Sequence, residues 1–349
     1  MEIPGYYDAY LTERIDYINA LGDGMRGEQD AFIFVTDYHA IRNAGNSPAL
    51  IRRIVAETGI NMLVFGGDAY QASTKAAKKA EYGRGMASVY DLLGRLTDCF
   101  CPLIGNHEWN HWKSNEALEW KTEETAWQRN SVIRMCLRNR EGINEYGDYV
   151  VRNELAKVVH VFIQMDGDHN MQMEQFSWLA DVLNAVPDGW GVVVFHHHVY
   201  TTGKSSNTHV NRPRRNARLL SKMLMAYEQR TRRTITNPTG NPEKADEKQT
   251  FDFRQAKGEV ICLMGGHLHK DTHRTKEESL EGILTIVTTG DLCWHGNVLY
   301  TYEDENGVTQ ERTPGTVREQ AFDVVQIDRE KRIVHLTRIG GGTDRKFNY

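Results

Sequence analysis

Proline is scarce in this chain, at 8 of 349 residues, and cysteine is scarcer still, at five. No proline-rich linker, collagen-like repeat or low-complexity tract interrupts the sequence, and composition nowhere shifts enough to mark a domain boundary. The cysteines (Cys99, Cys101, Cys136, Cys262 and Cys293) form no C-x-x-C pair and are odd in number. Buried free thiols of a reducing, cytoplasmic setting are therefore expected, rather than a zinc knuckle or a disulfide framework. Missing too is any run approaching the roughly 18 apolar residues of a membrane span. The first residues, Met1-Glu2-Ile3-Pro4, carry neither the basic nor the apolar stretch of a secretory signal, so no membrane partner is expected. Nor does one sign of charge dominate: 42 basic against 47 acidic residues leave −5, which excludes a globally basic nucleic-acid binder.

What remains is an ordinary globular composition, 40% hydrophobic and 26% charged, in a chain long enough for a large core. We read residues 1–349 as a single domain. Helical spacing of Tyr10, Leu11, Ile15, Ile18 and Leu21 predicts an N-terminal helix over about residues 8–22. Short apolar runs at 31–36, 62–65, 100–104, 158–165, 190–195, 260–264 and 283–288 read as buried strands, and helical patterns fall between several of them. Ser47-Pro48 opens one such helix as N-cap and first-turn proline. Alternation at 322–327 and 332–339 around a polar turn predicts a C-terminal hairpin. The fold class is α/β with two sheets.

Five of these strands end alike. After them come Asp37-Tyr38-His39, Gly66-Gly67-Asp68, Gly105-Asn106-His107-Glu108, His196-His197-His198 and Gly265-Gly266-His267-Leu268-His269. Ligands bind at the carboxyl ends of strands in α/β sheets. Asp37, His39, Asp68, Asn106, His196, His267 and His269 are too many for one tetrahedral ion and suit two octahedral-leaning ions sharing a carboxylate. Oxygen and imidazole donors without thiolate favour Mn, then Fe, Zn or Ni. Such a cation pair clamps both oxygens of an in-line displacement at phosphorus.

In this order, D-x-H, G-G-D, G-N-H-E, a strand-end His and G-H-x-H resemble the calcineurin-like metallophosphoesterases, from Phe32 to the C-terminal hairpin. The resemblance implies a four-layer αββα sandwich of two mixed sheets flanked by helices, and a phosphate-ester hydrolase that uses a metal-activated water. It implies that Asp37, His39 and His269 hold one metal, that Asn106, His196 and His267 hold the other, and that Asp68 bridges them. The resemblance also implies that His107 contacts the phosphate and protonates the leaving oxygen, and Glu108 is expected to orient His107. His196 is chosen because it directly follows the apolar run, with His197 as the alternative. The chain departs from the family pattern in His198-Val199 where proline is usual, and in the residues that follow Gly67-Asp68. Gln71 and the D-x-H histidine also set it apart from the purple acid phosphatases.

Substrate contacts are expected from His197, from Trp109 as a stacking surface, and from Arg214. Trp109 opens a helical insert, about 109–140, that also holds Trp112, Trp120 and Trp127. Arg214 lies in a second insert, about 201–250. Its stretch from Thr201 to Arg233 holds nine Lys or Arg and one acid, Glu228, with Arg214, Arg218 and Lys222 in a helical stripe. Residues 234–249 read as a surface excursion or loop, and Asp166-Gly167-Asp168-His169 as a turn. Phosphomonoesters and phosphodiesters, including nucleotides, cyclic nucleotides and nucleic-acid ends, are the candidate substrates. The alternatives are a metal-dependent nuclease acting on DNA or RNA, and a non-catalytic scaffold.

Overall fold

The computed structural model describes residues 2–25, 29–71, 78–109, 127–138, 140–165, 171–199, 215–239, 242–279, 281–295 and 298–349. The first half runs α1 (Asp8–Asp23), β1 (Gln29–Val35), α2 (Ser47–Thr58), β2 (Met62–Phe65), α3 (Lys79–Leu93), β3 (Cys99–Pro102), α4 (Arg129–Cys136), β4 (Tyr149–Asn153) and β5 (Val158–Phe162). It continues through α5 (Met173–Asn184), β6 (Gly191–Phe195), α6 (Arg215–Glu228), β7 (Arg232–Thr236), β8 (Lys248–Asp252), β9 (Glu259–Gly265), β10 (Thr272–Arg274) and β11 (Thr285–Val287). Four short strands follow: β12 (Trp294–His295), β13 (Val298–Leu299), β14 (Thr301–Glu303) and β15 (Thr309–Glu311). Last come β16 (Ala321–Asp328), β17 (Ile333–Gly340) and β18 (Arg345–Asn348).

Two six-stranded sheets dominate, in the orders β18-β17-β16-β1-β2-β3 and β10-β11-β9-β6-β5-β4. Each is mixed. In the first, β1, β2 and β3 are parallel and the C-terminal hairpin adds antiparallel to β1. In the second, β5, β6, β9 and β11 are parallel between antiparallel β4 and β10. The parallel strands therefore point their carboxyl ends the same way within each sheet.

Side-chain alternation sorts the core into layers. Val193 and Phe195 of β6 face the first sheet, and Val192 and Val194 face α5 and α6. Between the sheets, Phe195 packs on Phe32 at 5.4 Å and stacks on Phe162 at 4.7 Å, ring centre to ring centre. Beneath this stack a buried polar link joins the sheets, with His160 Nε2 of β5 2.7 Å from Asp30 Oδ2 of β1. On the outer faces, Leu11, Ile15 and Ile18 of α1 and Leu50, Ile51 and Ile54 of α2 cover the first sheet. Phe176, Leu179 and Leu183 of α5 and Leu220, Met223, Leu224 and Tyr227 of α6 cover the second. Helix α2 carries its proline in the first turn and ends on Gly59 at φ 72°, whose N–H closes on Val55 O; it begins at Ser47 itself rather than after it.

The structure adds strands that the sequence pattern missed. Residues 234–249, read as a surface excursion or loop, include parts of the antiparallel pair β7–β8 at both ends. Strands β4, β10, β12 to β15 and β18 are short and largely polar or half-exposed, and so give no apolar run. Of the 109–140 insert, helix α4 lies within the described residues, and the 201–214 stretch lies outside them. No described helix is long and apolar enough to cross a membrane.

Replacing Phe195 with alanine opens a cavity on the seam between the sheets. We expect a loss of about 3–5 kcal/mol in urea-denaturation midpoint analysis; a loss below about 1 kcal/mol would contradict this packing.

Candidate metal centre

Loops after β1, β2, β3, β6 and β9 converge at one end of the two sheets, and backbone hydrogen bonds tie them together. Asp37 N–H donates to Gly67 O at 2.9 Å, His39 N–H to Asp68 O at 3.0 Å, and Gly266 N–H to His197 O at 3.1 Å. The convergence forces unusual backbone. Asp37, His39, Asp68, His267 and His269 all have positive φ, between 41° and 69°, and they are five of nine such non-glycine residues among those described. Side chains seldom adopt this region, and it concentrates at functional sites. Gly67, at φ 94°, passes so near the β3 loop that a Cβ would sit 2.5 Å from Gly105 N; only glycine fits.

Two buried carboxylates organise the cluster in parallel ways. Asp37 Oδ2 accepts the Thr36 hydroxyl at 2.7 Å and the His267 N–H at 2.8 Å. Its Oδ1 has no hydrogen-bond partner and lies 3.0 Å from His269 Nε2. Asp68 Oδ1 accepts the His107 N–H at 2.8 Å. Its Oδ2 is likewise without a hydrogen bond, surrounded by His197 Nε2 at 3.4 Å and by His39 Nε2 and His107 Nε2 at 3.8 Å each. Both ring nitrogens of His39 are buried and unpartnered.

The far side of two imidazoles is fixed. His197 Nδ1 donates to Gly66 O at 2.6 Å, which turns Nε2 toward Asp68 Oδ2 and, at 3.1 Å, Asn106 Oδ1. His269 Nδ1 sits 2.8 Å from the Tyr300 hydroxyl, which turns Nε2 toward Asp37. This is the arrangement of metal-ligating histidines, where the second nitrogen's hydrogen bond sets tautomer and ring direction. Candidate ligand atoms of Asp37, His39, Asp68 and His269 all lie within 4.8 Å of one another, as do those of His197, His198 and His267. Orphaned carboxylate oxygens and imidazole nitrogens aimed at shared points fit cations, since acceptors facing acceptors have no other stable company.

Protonation follows the same logic. Burial holds His39, His198 and His267 well below the usual histidine range, which leaves neutral rings with lone pairs to donate. Burial pushes Asp37 and Asp68 up, but the neighbouring imidazoles outweigh it, His269 for Asp37 and His197 with His107 for Asp68, and both stay well below the carboxylate range. Burial likewise lowers His197, but Asp68 prevails and raises it to about 10. Without a cation between them, the proton rests on His197 beside an ionised Asp68.

The structure brings together Asp37, His39, Asp68, Asn106, His107, His267 and His269 as the sequence reading grouped them. At the β6 end it brings in His197 and not His196. The His196 ring points elsewhere, with Nδ1 2.5 Å from His198 O and Nε2 buried without a partner. Alternation explains this: His196 continues the outer face of Val194, and His197 the inner face of Phe195. His198 joins the cluster unanticipated, its ring 3.4 Å from that of His267. Glu108 also differs from expectation. Its carboxylate accepts the backbone N–H groups of Asp68 at 3.0 Å, Ala69 at 2.6 Å and Gly105 at 2.8 Å, so it braces the Asp68 loop rather than orienting His107. Burial and the nearby Asp68 raise Glu108 to about 7.

Trp109, expected as a stacking surface, is 6% exposed and packs in the core, with Trp127 partly buried against the same cluster. Its faces are not open to a planar substrate. Arg214, Trp112, Trp120 and Asp166 to His169 lie outside the described residues. Tyr300 was not anticipated; nothing near it in sequence resembles a site motif.

Ordered strand-end Asp, Asn and His residues on two mixed sheets define a class of scaffold that could hold metal ions. The sequence pattern of that class, calcineurin-like phosphoesterase, matches residues 31–271, and the chain belongs to this family. Among solved structures, purple acid phosphatase PPD1 from yellow lupin (Lupinus luteus) aligns at 12% identity and TM-score 0.47, over 91% of this chain and 53% of that one. Phosphopantetheinyl hydrolase PptH from Mycobacterium tuberculosis aligns at 12% identity and TM-score 0.40, over 76% and 91%. The NAD nucleotidase NadN of Haemophilus influenzae aligns at 9% identity and TM-score 0.38, over 86% and 52%. This chain thus spans about half the length of the lupin enzyme. No curated protein matches it in sequence.

Glu108→Gln sets an amide NH₂ against backbone N–H donors. We expect a destabilisation of about 1–3 kcal/mol in chemical denaturation, together with weakened cation uptake as the Asp68 loop loosens. Unchanged values for both would show that Glu108 is not the brace.

Proposed function

We propose that this chain hydrolyses phosphate esters with two divalent cations held at the cluster. Asp37, His39 and His269 would hold one, Asn106, His197 and His267 would hold the other, and Asp68 would serve both. The single observation that carries the reading is Asp68 Oδ2, buried, without a hydrogen bond, and ringed by three imidazole nitrogens at 3.4–3.8 Å. When bound, such cations neutralise phosphate oxygens and make a water nucleophilic near neutral pH. Manganese suits the oxygen and imidazole donors first, with iron, zinc or nickel as alternatives.

The chain's own residues do the rest. Gly66 O and Tyr300 hold the His197 and His269 rings in place. Glu108 and the Gly67–Gly105 contact fix the Asp68 loop. His107, its backbone N–H on Asp68 and its ring edge-on to His39 at 4.6 Å, contacts the phosphate and returns a proton to the leaving oxygen. Membership of the family supports a phosphoesterase; five free cysteines support a reducing, cytoplasmic setting. The full set of ligand types at the cluster speaks against a purely structural scaffold.

A nuclease remains the second reading, favoured by one observation. Burial together with the neighbouring cations Arg218 and Arg233 pushes Lys222 below its ordinary value. Crowding of like charges on α6 and β7 suits a polyanionic substrate.

Two measurements test the proposal. Chelation should abolish hydrolysis and added Mn²⁺ restore it; activity that survives exhaustive chelation would defeat the metal mechanism. In Mn²⁺, rates on bis-p-nitrophenyl phosphate and p-nitrophenyl phosphate should both vanish in Asp68→Asn and Asn106→Ala while the fold persists by circular dichroism. Preference for the diester favours phosphodiesterase or nuclease chemistry, preference for the monoester favours phosphatase or nucleotidase chemistry, and full activity in Asp68→Asn would sink the bridging role.

A further inference from the structure

His269 differs from His197 in what holds its far nitrogen. The latter leans on a backbone carbonyl, fixed by the fold. His269 Nδ1 instead meets a side chain, the Tyr300 hydroxyl, at 2.8 Å, with the rings edge-on at 5.6 Å and 78°. Tyr300 lies beyond residues 31–271, the segment that the family pattern matches.

We propose that Tyr300 is a positioning residue for the cation site formed by Asp37, His39 and His269, through its hydrogen bond to His269 Nδ1. The inference rests on the two-cation reading above. A histidine that offers Nε2 to a cation must carry its proton on Nδ1, and that N–H needs an acceptor in the right place. The phenol oxygen is such an acceptor. With it in place, Nε2 points at the unpartnered Asp37 Oδ1, 3.0 Å away. Without it, a ring at positive φ on the loop after β9 is free to turn about its side-chain torsions.

Tyr300 is itself held on the scaffold that holds Asp37. Its N–H donates to Cys293 O at 3.0 Å, and its carbonyl accepts the Arg312 N–H at 2.9 Å. Three residues in the stretch just before it cross to the β1 loop: Asp291 N–H donates to Thr36 O, Leu292 N–H to Asp37 O, and Cys293 N–H to Arg42 O. Buried Arg312 ties this segment down from beneath, reaching Asp291 O and Glu319 O at 3.0 Å each. Residues 291–293 and 300 therefore fix both the backbone of Asp37 and the ring of its partner His269. A residue that served only packing would need the Tyr300 ring and not its oxygen, and the Tyr300→Phe variant separates the two.

The test uses full-length wild type and Tyr300→Phe, stripped of metal and titrated with Mn²⁺ by calorimetry, with the visible absorption of the Co²⁺-loaded proteins as a second readout. The wild type should take up two cations. Tyr300→Phe should lose about 10- to 100-fold in affinity at one site and keep the other. Its Co²⁺ bands should change, and its metal-free melting temperature should equal that of wild type. Equal affinities at both sites would overturn the role of Tyr300 while leaving the two-cation reading standing. A parallel loss at both sites with a lower metal-free melting temperature would make Tyr300 a packing residue and overturn it too. A wild type that takes up no Mn²⁺ would remove the cation centre itself, and the positioning role with it.

Discussion

Burying two ionised carboxylates a few ångströms apart is costly, and the architecture of this chain is arranged around making it possible. Asp37 and Asp68 are essentially inaccessible to water, and each repels the other. Half of each carboxylate is satisfied by neutral donors (hydroxyl or backbone N–H), and the other half is left to imidazoles. A pair of buried anions is stable only where positive charge is supplied. In this molecule that means protonated histidine or a cation, and the rigidity of the surrounding loops is what keeps either in place.

That rigidity has a visible cost in the backbone. Left-handed conformations at Asp37, His39, Asp68, His267 and His269 persist only because other loops fix them, by the Asp37–Gly67 and His39–Asp68 hydrogen bonds and by Glu108 beneath Asp68. The glycines are part of the same arrangement. Gly67 lets two loops touch, and a side chain at Gly105 or Gly266 would run into Asp68 or Asp37 respectively. Strain here is local and is offset by the unstrained, densely packed sheets behind it.

Much of this was legible in the sequence because buried parallel strands are written as unbroken apolar runs. The first polar residue after each run marks a strand's carboxyl end, so Asp37, Asp68, Asn106 and His267 could be grouped from sequence alone. The same unbroken runs hide which face a residue takes. In Gly191–Phe195 every position is buried, so nothing in the sequence says whether His196 or His197 turns inward. Knowing that Phe195 faces the other sheet would have settled it. Glu108 and Trp109 illustrate a second limit: a carboxylate beside a histidine, or a tryptophan beside a site, says nothing about which neighbour it meets in space. Tyr300 illustrates a third, since its approach to His269 depends on a long C-terminal excursion through strands too short and polar to leave a pattern.

The cluster sits on the seam of the sandwich. Asp37, His39, Asp68 and Asn106 come from loops of one sheet, and His197, His267 and His269 from loops of the other. Below this rim the two sheets are held by the packing of Phe195 on Phe32 and Phe34 and by the Asp30–His160 contact. Anything that engages both sets of ligands therefore acts as a clasp across the open end of the sandwich. Occupancy then becomes a mechanical variable as well as a chemical one: resistance to unfolding rises with the concentration of whatever fills the clasp.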